Sequence, residues 1–140
     1  MSVLGLTKKQ FLKRSKECLD AQGIHALNLH ELIDLELSGK INKTDSYTRI
    51  RAIMKDLDSI FNKYQHLNPP SGCIKTKREI LNSLLLLQET ATAVYDSTQK
   101  ELNKDQGFDK TKLADSKLFL NKFRQVFRPL TMEIDENLNV

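Results

Sequence analysis

Residues 80–102, with Leu84, Leu85, Leu86 and Leu87 in succession, constrain this chain more than any other stretch. At about 100° per residue, Ile80, Leu84, Leu87, Ala91, Val94, Tyr95 and Leu102 share one side of a helix. Leu81, Leu85 and Leu86 fall outside that stripe, so the first half is apolar nearly all round. A surface helix needs only one apolar stripe, and a helix apolar on most sides needs neighbours on most sides. The stretch is therefore expected to be the central helix of an all-α bundle.

The rest of the chain is consistent with that architecture. A length of 140 residues suits one domain with a real core, and 39% hydrophobic against 29% charged residues is too apolar for a disordered chain. Gly and Pro are few and fall mostly between periodic segments, which favours helices over a turn-rich β fold. Capping signals and stripes predict five helices, at about 8–22, 29–38, 45–66, 76–103 and 110–128. Thr7 and Gln10 fit a capping box for the first, and Gly23 reads as its stop. Asn28 and Glu31 fit a second box, and Gly39 closes that short helix. Thr44 or Asp45 is the expected cap of the third, whose stripe runs from Tyr47 through Ile50, Ile53 and Leu57 to Tyr64. Thr76 and Glu79 form a third box, with a start one turn earlier, at Ile74, also open. Asp109 caps the last helix, and Pro129 is expected to break it. Short connections favour antiparallel packing of the long helices. The domain reading is a bundle over 1–130 followed by an acidic tail over 131–140.

Positive evidence for chemistry is sparse. His25, His30 and His66 fall in a turn, at a helix start and on a polar face, with no nucleophile elbow in the sequence. His30-Glu31 lacks the second His that a zinc-protease helix requires. The single glycines form no phosphate loop. The expectation is a protein that is not an enzyme and holds no metal or cofactor. Cys18 falls on an apolar helix face, far in sequence from Cys73, and the pair suits a reducing compartment. The N-terminus lacks the pattern of a secretory signal, and no apolar run approaches the roughly 20 residues of a membrane span. A cytoplasmic location follows as an expectation.

The clearest polar pattern lies on the last helix. Lys110, Lys117, Arg124 and Arg128 fall within about 40° of one another on a helical wheel. The formal charge of +4 and a pI near 9.1 agree with a basic contact surface. Leu35, Leu86 and Leu118 are apolar residues that their own stripes do not require, and Leu118 lies beside Lys117. Together these point to a protein–protein interaction module whose partner presents an acidic surface. Weak, sequence-blind binding to nucleic acid is the lesser reading, because no aromatic residue interleaves with the cations of the ridge.

One further pattern occurs at the end of the chain. Glu133, Asp135 and Glu136 followed by Leu138 resemble the C-terminal signals of bacterial type IV (Dot/Icm) secretion substrates, which join an acidic block to a nearby apolar residue. The resemblance implies an effector or regulator delivered into a host cell by a route needing no signal peptide. It implies nothing about activity there.

Overall fold

A computed structural model describes residues 5–99 and 107–139. In chain order it contains α1 (Lys8–Leu37), α2 (Lys43–Gln65), a 3-10 turn (Ser71–Cys73), α3 (Ile74–Gln99) and α4 (Lys110–Leu138), with no strand among the described residues. The all-α bundle is as expected, built from four helices rather than five. No helix among the described residues is long and apolar enough to cross a membrane.

Two punctuation residues act differently from their sequence reading. Gly23 lies inside α1, which runs without a break through the segments predicted as two helices. A Cβ on Gly23 would lie 3.2 Å from Cζ of Phe127, so this glycine permits close approach of α4 rather than stopping a helix. The real stop is Gly39, at φ 70°, in the left-handed region. There the Lys40 amide donates to Leu35 O at 2.9 Å and the Gly39 amide to Glu36 O at 3.3 Å, a Schellman closure.

Pro129 likewise does not end α4, which continues to Leu138. An interior proline costs about 3 kcal/mol in a helix. Beyond it, Leu130 and Ile134 are buried in the core. Each such side chain contributes about 1.5–3 kcal/mol, enough together to offset the proline. Asp135 adds a 2.6 Å ion pair to Lys16 of α1, which raises the Lys16 pKa. The boundary drawn at residue 130 thus falls inside a helix, and the segment read as an acidic tail is its last two turns. The period missed there is Leu130, Ile134 and Leu138, one helical face.

Cross-helix contacts fix the topology. Ser15 meets Tyr64 and Glu36 meets Ser46, so α1 and α2 run antiparallel. Lys16 to Asp135 and His30 to Arg124 make α1 and α4 antiparallel. Gln88 to Asp58 and Tyr47 beside Tyr95 do the same for α2 and α3. α3 touches each of the other helices, whereas α2 and α4 do not meet among the described residues. Ile80, Leu84, Leu87, Ala91 and Val94 are fully buried, which establishes the leucine-rich helix as the centre. It is not enclosed all round, since Leu85 is 42% exposed. Leu102 and the predicted end of this helix lie outside the described residues.

Most caps agree with expectation. Thr7 and Gln10 form the reciprocal box, and Asp109 accepts from the amides of Thr111 and Lys112. The cap of α2 is Asn42, whose side chain accepts from the Asp45 amide at 2.8 Å, rather than Thr44 or Asp45. α3 begins at Ile74, out of the 3-10 turn, and not at Thr76.

Candidate functional site

α4 is held on its inner side by Leu113, Leu120, Phe123, Leu130 and Ile134. Phe119 and Phe127 are only half-buried. With that face turned inward, Lys110, Lys117, Leu118, Arg124 and Arg128 are all exposed, Leu118 by 53%. Lys110, Lys117, Arg124 and Arg128 share one side of α4, and Arg124 reaches α1. None of the four has a carboxylate partner within 4 Å among the described residues.

Arg124 is the one member that is positioned. Its guanidinium donates to Asn121 Oδ1 and lies 3.2 Å from Nδ1 of His30 on α1. A guanidinium can only donate, so His30 accepts at Nδ1 and carries its proton on Nε2. That nitrogen faces Asp34 Oδ2 at 3.3 Å. The chain Asp34–His30–Arg124 thus ties the outer edges of α1 and α4. Beside it Leu27 stands 70% exposed, and Met132, one turn beyond Arg128, is 57% exposed. The outer side of α4 and the adjoining edge of α1 thus carry exposed cations and exposed apolar side chains. Leu35 and Leu86, read together with Leu118 as candidate contacts, are half-buried instead, Leu86 against the core.

A second surface escaped the sequence reading. Tyr47 and Tyr95, placed there on core stripes, meet at the α2/α3 edge with ring centroids 5.6 Å apart. Arg51 lies over the Tyr47 ring at 5.5 Å and donates to its hydroxyl at 3.1 Å, which lowers the Tyr47 pKa. The recoverable signal was the i, i+4 spacing of Tyr47 and Arg51.

The histidines do not converge. His25 Nε2 is 3.9 Å from Asp56, His30 is engaged as described, and His66 Nδ1 contacts Asn62 O at 2.6 Å. Among the described residues no three His, Cys, Asp or Glu side chains stand close enough to hold a metal. The two cysteines, distant in sequence, share one buried cluster with Tyr64. Glu133, Asp135 and Glu136, on which the secretion resemblance rests, are helical residues of α4. No family model, curated protein or solved structure matches the chain.

Proposed function

We propose that this chain is a non-enzymatic helical interaction module that binds an acidic protein surface through the outer flank of α4. The observation that carries this reading is the row Lys110, Lys117, Arg124 and Arg128, exposed and without carboxylate partners among the described residues, together with exposed Leu118 and Met132 on the same helix and Leu27 on α1. Interfaces draw orientation and encounter rate from complementary charge, and affinity from apolar groups removed from water. This flank offers both. A nucleic acid would use the cations alone, giving roughly 10⁻⁴–10⁻⁶ M binding that falls steeply with salt.

The test is capture from lysate with and without nuclease, followed by a salt series on the captured partner. A protein partner retained after nuclease, and weakened by Leu118→Ala at high salt, supports the reading. Loss of all captured material on nuclease treatment gives nucleic acid the lead.

A further inference from the structure

A cleft of about 300 Å³ opens between α1 and α2, with no residue of α4 in its lining. That size lies at the lower end of ligand cavities, about 300–1,000 Å³. Its walls are apolar: Cys18 and Ala21 from α1, Ile60 from α2, and Leu67 just beyond α2. Tyr64 forms the floor. Its hydroxyl bonds Ser15 Oγ at 2.6 Å within the buried core, so the cleft meets the ring and not the phenol. The mouth is polar and carries Arg14, Glu17 and Lys63. Arg14 and Glu17 form a loose, largely exposed pair 3.9 Å apart, so the three groups leave one net positive charge at the mouth. Lys63, exposed at the end of α2, makes no hydrogen bond or ion pair among the described residues.

An apolar slot under one uncompensated cation selects for a molecule with an apolar body and a single anionic head. We infer that the α1/α2 cleft is a binding site for a small aliphatic carboxylate, its chain along Ile60, Leu67 and the Tyr64 ring and its head on Lys63. A neutral chain would lack the contact at the mouth, and a cationic one would meet Lys63 unfavourably. The cleft is lined on one side by a thiol, which gives a built-in reporter. Cys18 is 7% exposed and lines the cleft, whereas Cys73 is 2% exposed and does not.

The experiment uses the full chain with octanoate, octanol and octyltrimethylammonium as probes. Modification of Cys18 and Cys73 by a thiol reagent is followed by peptide mass spectrometry. Chemical-shift changes at Ala21, Ile60 and Leu67 provide a reading independent of thiol reactivity. Saturable protection of Cys18 and shifts confined to the cleft are expected with octanoate, with several-fold weaker effects from the other two. Lys63→Glu, at an exposed position, should keep the melting temperature and weaken octanoate several-fold. Ala21→Leu should narrow the slot and weaken it as well. Equal responses to all three probes, an octanoate affinity unchanged in Lys63→Glu, or no shifts at the cleft would overturn the assignment.

Discussion

Polar residues recur at seven-residue intervals on three helices of this molecule, in one exposed row and two buried ones. Lys110, Lys117 and Arg124 lie in water along α4, while Ser15, Gln22, Leu29 and Glu36 are buried along α1. The buried row meets a matching one on α3, where Ser83, Thr90 and Ser97 share the same spacing. Ser83 donates to Gln22 Oε1 at 2.6 Å, and Ser97 donates to Glu36 Oε1 at 2.6 Å. Ser46 of α2 donates to the other oxygen of Glu36. Both α1–α3 pairs join residues 61 positions apart, so the seam holds these parallel helices in one register. Sliding either helix would strand buried polar atoms, each costing about 1–3 kcal/mol. The exposed row has no such consequence, because its groups are as well solvated in one register as in another. Spacing alone therefore carries no information about direction; the partner surface decides.

The sharpest break of the comparison lies inside the seam, at its one apolar member. Leu29→Ala, at 0% exposure, should cost about 2–5 kcal/mol in urea melts. A cost near that of an exposed substitution such as Lys55→Ala would show that α1 does not pack as described. Next in size is removal of residues 131–140. Losing buried Ile134 should cost about 1.5–3 kcal/mol, with a clear drop in melting temperature. An unchanged melt would mean that the segment beyond Pro129 behaves as the loose tail read from the sequence.

Legibility of the fold followed the type of residue. The leucine-rich helix was clear because its stripe is long and apolar, and Thr7 and Asp109 because their caps are local chemistry. Gly23 and Pro129 were misread because each answers to a partner distant in sequence. Phe127 sets the need for Gly23, and the core under Leu130 and Ile134 outweighs Pro129. The basic row was legible as a surface, since Lys and Arg are almost never fully buried. The seam was not legible, because Gln22 and Glu36 near an assumed helix end look like ordinary exposed residues. The Tyr47–Arg51–Tyr95 cluster needed the α2/α3 packing to bring Tyr95 alongside.

A smaller and more specific effect should come from the charged end of the seam. Glu36 is 4% exposed, and burial raises its carboxyl pKa above the ordinary 4.5, partly opposed by the hydroxyls of Ser46 and Ser97. A raised folded-state pKa means that its protonated form favours folding. That contribution is complete below about pH 4.5 and is lost as pH rises through the raised value. Glu36→Gln has no such titration at this position. The variant should thus gain stability relative to the natural protein as pH climbs from 4 toward neutrality. Paired urea melts across that range measure it. A gap that stays constant or moves the other way would show that the two hydroxyls fully compensate the desolvated charge.

The smallest effect on stability belongs to the exposed row, and there its size is the point. Arg124→Glu with Arg128→Glu reverses two charges on the flank of α4. Arg128 has no hydrogen-bond or ion-pair partner among the described residues. Arg124 gives up its bonds to His30 and Asn121, and both of those groups lie at the surface, where water replaces the lost partner. The change in folding free energy should therefore stay within about 0.5 kcal/mol, as for ordinary surface substitutions. Binding should respond far more, since an acidic partner would now meet like charge, and the loss should be greatest at low salt where screening is weak. Melting curves and binding isotherms of the same double variant separate the two quantities. A variant that melts with the natural protein yet no longer binds would place the exposed row in recognition and leave register to the buried one. A variant that loses a kilocalorie or more of stability would show that Arg124 and its contact with His30 help hold α1 to α4, and that the two rows are less distinct than their exposure suggests.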